Sequence, residues 1–432
     1  MAAKVTVLAF MMISLFSATP AAYSDSERRG FRASMTRREP SINFRRAAGR
    51  SQERLSMLGA RLDAATGGGR VNAQAPLRLD AGGAAYDMTF SIGTPPQRLS
   101  ALADTGSDLI WTKCGACTQC APQGSPSYYP SKSSSFSRLP CAAGLCAALQ
   151  SESSVTCSAG GAECDYKYFY GLATDPHHYT QGYLGSETFT LGGDAVPGIG
   201  FGCTNMSEGG YGSGSGLVGL GLGPLSLVSQ LNAGAFAYCL PVMASKSSPL
   251  LFGALAALSG AGVQSTPLLP SSIYYTVNLK TISIGSETTA GTGSAGVIFD
   301  TGTTVAFLAE PAYTAALTVV LRQTKLPRAA GIDGYDACFL RQRKEVEGSG
   351  DSWKSAVPSM SLHFDGADMA LPTENYFGEV AHGVVCWIVQ QSPSLSVIGN
   401  IMQMSYHIRY DVDNGVLSFQ SANCDKFQGE MD

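Results

Sequence analysis

The triplet Asp-Thr-Gly occurs twice, as Asp104-Thr105-Gly106 and as Asp300-Thr301-Gly302, 196 residues apart. Each copy ends an apolar run, carries a hydroxyl residue next (Ser107 or Thr303) and leads into a second apolar run. Each also has an apolar-apolar-Gly partner downstream, Leu217-Val218-Gly219 for the first and Val397-Ile398-Gly399 for the second. Duplication about a two-fold axis accounts for all four segments at once. It brings the triplets face to face, one carboxylate from each half in a shared cleft.

The surrounding pattern is that of strands. Ala85 to Ile92 alternates apolar and polar residues and runs into the turn Gly93-Thr94-Pro95-Pro96. Fifty glycines suit turns between short strands better than long helices. The expected fold is all-β and bilobal: two pseudo-two-fold related β lobes with a few short helices, of which Pro311 to Leu321 is the clearest. The N-terminal lobe is read as 77–255, with the first Asp and a Cys-rich insert. The small, Gly/Ala-rich stretch Gly253 to Leu269 is the boundary, and the C-terminal lobe is read as 270–432.

Two segments precede the lobes. Lys4 and the apolar stretch Val5 to Phe16, followed by Ala18, Ala21 and Ala22, read as a secretory signal peptide over 1–24. Residues 25–76 form a basic leader, with eleven Arg, no Lys and five acids between Asp25 and Arg70. The net charge of the whole chain is −4, so an acidic body follows a basic leader. In an exported chain this predicts a pro-segment whose cations lie across an acidic cleft. The address is then secreted or vacuolar. A chloroplast transit peptide would share the Arg and Ser content but lack the apolar core.

Twelve cysteines behind a signal peptide imply disulfides. Cys114, Cys117 and Cys120 have a spacing that zinc could use, but no His lies near them, so no metal is expected. Asn205-Met206-Ser207 is a glycosylation sequon. The run from Gly214 to Gly219 satisfies Gly-x-Gly-x-x-Gly without a strand–turn–helix setting, and no nucleotide is expected. His177 and His178 read as exposed loop residues, and His363, His382 and His407 are scattered without a pattern.

Two carboxylates held close cannot both ionise cheaply, so the pair keeps one proton over a range of acid pH. The ionised member can take a proton from water while the protonated one polarises a carbonyl. The hydroxyls of Thr105, Ser107, Thr301 and Thr303 are expected to fix the carboxylates, and Gly106 and Gly302 to admit backbone N–H groups.

On these motifs the chain resembles the pepsin-type aspartic proteases, and most closely their plant nepenthesin-like branch, from about Ala85 to Cys424. Asp104 and Asp300 match the catalytic pair, Trp111 the Trp after the first motif, and Tyr170-Gly171 the flap that closes over substrate. Gly216 to Gly221 with Pro224 to Leu231, Ser396 to Ile401, and the Cys-rich insert Cys114 to Cys146 carry the branch-level likeness. The resemblance implies the pepsin-like acid protease fold, Cys239–Cys424 and Cys338–Cys386 pairs, and an aspartic endopeptidase made as a zymogen with an acidic optimum. It implies an extended polypeptide substrate, the chain's own pro-segment as a partner, a monomer, and no cofactor, nucleic acid or membrane. Two departures stand out: the second triplet has Thr where the branch has Ser, and the flap segment Leu172 to Thr180 is lengthened, with Pro176 and two His. The alternative of another class is an inactive inhibitor on the same fold, as in the plant xylanase inhibitors.

Overall fold

The computed structural model describes residues 30–66, 85–121, 125–150, 153–170, 178–209, 214–270, 273–341 and 352–427. The signal peptide, the end of the leader, Gly171 and the flap residues 172–177 lie outside them.

The protein is mostly β, as the sequence pattern predicts. A 15-stranded sheet runs through the molecule, with a 7-stranded and a 4-stranded sheet in the second half. Strand Tyr86–Ile92 forms where the alternation predicts it and pairs antiparallel with Gln97–Asp104, which delivers the first Asp at its end. Strand Glu287–Phe299 ends at the second Asp in the same way. The clearest predicted helix is found at Ala312–Gln323.

The duplicated partners lie beside the triplets. Strand Gly216–Gly219 runs parallel to the first Asp strand, with Gly219 opposite Asp104. Val397–Ile398 runs parallel to the second, with Ile398 opposite Phe299. Glycine is required in both places because the chains nearly touch. A Cβ on Gly219 would sit 2.2 Å from the Asp108 carbonyl oxygen, and one on Gly399 would sit 2.3 Å from that of Val305.

The lobes are less separate than the sequence suggests. Strands Tyr406–Asp411 and Val416–Ser421 belong by sequence to the second lobe. The first of them pairs with Ala235–Cys239 and so extends the first lobe's sheet. Gln264–Pro267, inside the predicted boundary, pairs with Val416–Ser421. One buried apolar cluster takes in both halves and the leader.

The leader is folded rather than draped. Phe31–Arg37 is a strand seated between Ser247–Phe252 and Tyr86–Ile92, antiparallel to both. Phe44–Thr66 is a 23-residue helix. Phe44, Ala47, Ala48, Leu55, Leu58 and Leu62 recur at three- and four-residue spacing or multiples of it and pack against the core.

All twelve cysteines are paired. Cys239–Cys424 and Cys338–Cys386 are present, with Cα atoms 5.2 and 4.1 Å apart. The remaining pairs are Cys114–Cys203, Cys117–Cys120, Cys141–Cys157 and Cys146–Cys164. The three cysteines with zinc-like spacing are therefore disulfide-bonded.

Candidate active site

Asp104 and Asp300 are both completely buried and meet at the axis. Each is held alike. Ser107 Oγ donates to Asp104 Oδ2, and the Gly106 N–H to Asp104 Oδ1 at 3.1 Å. Thr303 Oγ1 donates to Asp300 Oδ2 at 2.5 Å, and the Gly302 N–H to Asp300 Oδ1 at 3.0 Å. The second-site Thr leaves this set of donors intact. Gly106 and Gly302 have no room for a side chain. A Cβ on the first would lie 2.6 Å from Asp300 Oδ1, and one on the second 2.5 Å from Asp104 Oδ1.

Thr105 and Thr301 do something other than fix the carboxylates, which corrects the expectation for this pair. Each reaches across the axis to the opposite half. Thr105 Oγ1 accepts from the Thr301 N–H at 3.0 Å and donates to the Phe299 carbonyl at 3.1 Å. Thr301 Oγ1 accepts from the Thr105 N–H at 3.1 Å and donates to the Ala103 carbonyl at 2.8 Å. The reciprocal set ties the two triplets together.

A guanidinium from the leader helix sits on the pair. Arg54 Nε donates to Asp300 Oδ2 at 2.9 Å, and Nη2 donates to Asp300 Oδ1 at 3.1 Å and to Asp104 Oδ1. Two turns on, Arg61 Nη1 donates to the Gly106 carbonyl at 2.9 Å and Nη2 to Asp108 Oδ2 at 2.5 Å. Ser51 Oγ on the same helix accepts from the N–H groups of Thr304 and Val305 at 3.1 and 3.2 Å. Charge counting located a basic leader, but not which Arg meets the dyad. The apolar spacing from Phe44 to Leu62 is the signal that would have found the helix.

The electrostatics are uneven. Burial pushes Asp104 up, and with the nearby Asp300 charge it outweighs Arg54, leaving the group at about 6. Burial also acts upward on Asp300. There the Arg54 charge and hydrogen bonds, with those from Thr303 and Gly302, outweigh it and hold the group below the ordinary carboxylate value. The pair thus holds one proton in mildly acid solution.

Trp111 and Tyr170 are brought together. The indole Nε1–H of Trp111 donates to the Tyr170 hydroxyl at 2.8 Å, and both rings are buried. Tyr170 follows strand Glu163–Phe169, and its N–H donates to the His178 carbonyl at 2.7 Å. Tyr166 and Tyr168, four and two residues before Tyr170 and on the strand that leads to it, are buried. His178 departs from expectation: it is buried, with Nε2 3.8 Å from Glu53 Oε2 of the leader helix. The leader covers it, and contacts over such a distance in sequence are not readable locally. Asn205 of the sequon is exposed on strand Asp194–Glu208.

Comparison with known proteins agrees with this geometry. Residues 86–254 match the family described as "Xylanase inhibitor N-terminal", and residues 274–421 match "Xylanase inhibitor C-terminal". The chain is 40% identical to aspartic proteinase nepenthesin-1 of Nepenthes gracilis, covering 88% of this chain and 85% of that one. It is 38% identical to nepenthesin-2 of the same plant, covering 88% and 86%. Among solved structures it is similar to basic 7S globulin from soybean, with a TM-score of 0.61 at 19% identity, covering 79% of this chain and 95% of that one. That last likeness concerns the fold alone. With 30–40% identity to plant aspartic proteases over most of its length, the chain belongs to the pepsin-type aspartic protease family, in its plant nepenthesin-like branch.

Proposed function

We propose that this protein is an aspartic endopeptidase, exported to the extracellular space or vacuole and made as a zymogen that acid activates. It hydrolyses extended polypeptides with Asp104 and Asp300. The observation that carries the reading is the dyad itself: two buried carboxylates on one guanidinium, each with a hydroxyl and a backbone N–H. Paired aspartates of this kind are a standard illustration of a shared proton. With the leader out, the ionised carboxylate takes a proton from water as its oxygen attacks the scissile carbonyl carbon. The protonated carboxyl gives its proton to the carbonyl oxygen. The tetrahedral diol then collapses, the C–N bond breaks, and a proton passes to the leaving amine. No covalent intermediate forms. In the zymogen Arg54 occupies the place of water and substrate. Asn205 is proposed as a glycan acceptor and the chain as a monomer, since two lobes supply what a single-motif chain would need a dimer for.

A second reading is a binding protein without catalysis. It is favoured by the match to families described as xylanase inhibitor domains. Hydrolysis of a denatured protein between about pH 2 and pH 7 separates the two. We expect acid cleavage that is blocked by a statin-type mimic and lost in Asp104→Ala. A folded protein, freed of its leader, that cleaves at no pH belongs to the second reading.

A further inference from the structure

Asp108 has no part in the hydrolysis just described, yet it is built into a pocket beside the dyad. Its carboxylate is buried. Oδ1 accepts from the Gly223 N–H at 2.8 Å, and Oδ2 receives Arg61 Nη2. The pocket exists because two facing residues lack side chains. A Cβ on Gly221 would lie 2.3 Å from Asp108 Oδ1, and one on Gly223 2.7 Å from its Cγ. Two further groups meet the same guanidinium. The Gly106 carbonyl accepts from Nη1 at 2.9 Å, and the Tyr274 ring lies 5.7 Å from Cζ. An acid, a carbonyl and an aromatic face thus converge on one cation, which is a full complement for an Arg side chain. The carbonyl belongs to the last residue of the first catalytic triplet, so the pocket adjoins the place where a scissile bond would lie.

We propose that this pocket is a substrate subsite for a basic side chain, which Arg61 of the leader fills in the zymogen. The inference rests on the peptidase reading and adds a substrate class to it: polypeptides with Arg or Lys close to the cut. When the leader leaves, Arg61 goes with it, and Asp108 keeps the Gly223 N–H and faces the cleft. A basic residue of the incoming chain then restores the charge-assisted pair, while a neutral side chain of like length leaves a buried carboxylate without its cation.

The test uses the full-length chain with a protease site added within residues 67–76, cut so that the leader is removed at about pH 3 before assay at about pH 5, above the ordinary carboxylate range. Peptides carry Arg or Gln at each of the three positions on either side of one scissile bond. At one of those positions kcat/KM should favour Arg by about tenfold or more, the size of one charge-assisted contact. In Asp108→Asn, which keeps an acceptor for Gly223, the Arg-to-Gln ratio should fall to near one. Taking the ratio within each protein cancels any general loss of activity. Statin peptides with the same Arg and Gln pair, titrated calorimetrically, report the pocket without chemistry. If both peptides are cut equally by wild type at every position, the subsite is wrong and the peptidase stands, with Asp108 only a latch for Arg61. If nothing is cut but the Arg statin binds more tightly, the peptidase reading fails and the pocket stands. Equal binding of the two statins with no cleavage overturns both.

Discussion

Thr105 and Thr301 set how far apart the two carboxylates stand. Removing one hydroxyl leaves a buried N–H on the opposite loop without its acceptor, at a cost of about 1–3 kcal/mol. Thr105→Val should therefore lower unfolding stability in urea by that amount and reduce kcat more than it raises KM, because the dyad loses its spacing while the cleft walls remain. Arg54 calls for a pH argument. Asp104, raised by burial to about 6, takes up its proton in the folded chain below that pH, so the group adds to stability against unfolding as pH falls from about 6 to 4. The Arg54 charge acts to lower that pKa, so protonating Asp104 weakens the leader's hold. Asp300, held low, gives stability above its ordinary value near 3.8 that is lost only as pH falls through its lower folded value. The Arg54 latch should thus hold at pH 5 and open below about pH 4. Arg54→Gln should bring activity of the intact chain up to about pH 5, read as the midpoint of activation against pH. At this scale the dyad was legible because each triplet is local in sequence. Arg54 was not, since its partners are 50 and 246 residues away and nothing local distinguishes it from the ten other Arg of the leader.

Among the elements, the leader helix is the one whose docking can be tuned. Leu58 is fully buried, and its carbonyl accepts from the Tyr274 hydroxyl at 2.9 Å. Leu58→Ala leaves a cavity under the helix and should cost about 2–5 kcal/mol. That loss falls on the leader-bound form, so thermal stability of the intact chain should drop and its activation midpoint should move to higher pH. The same change leaves the triplets untouched, which separates docking from chemistry. Strands such as Tyr86–Ile92 and the helix Ala312–Gln323 were legible because alternation and apolar content are local patterns. The leader helix was not, because five Arg and other polar residues are interspersed among its apolar ones. Strand Phe31–Arg37 takes its meaning from neighbours far along the chain.

Across the whole molecule, duplication predicted the two-fold relation of the triplets, while the merging of the lobes escaped the sequence. The final strands cross to Ala235–Cys239, and the Cys239–Cys424 disulfide closes that return over 185 residues. Nothing near Tyr406 in sequence announces its partner. The position of Phe31–Arg37 has a consequence for birth as well as for control. The strand leaves the ribosome before either neighbour is made, and so serves as a ready edge on which Tyr86–Ile92 and later Ser247–Phe252 can be laid. A gene that begins at residue 67 would ask those two strands to find the right spacing around an empty lane, each with a row of amides and carbonyls open to other chains. Its product should collect as insoluble aggregate, and a separate peptide of residues 30–66 added during refolding should recover soluble protein. Soluble yield with and without that peptide would show whether the leader is a template for the sheet before it is a lock on the site.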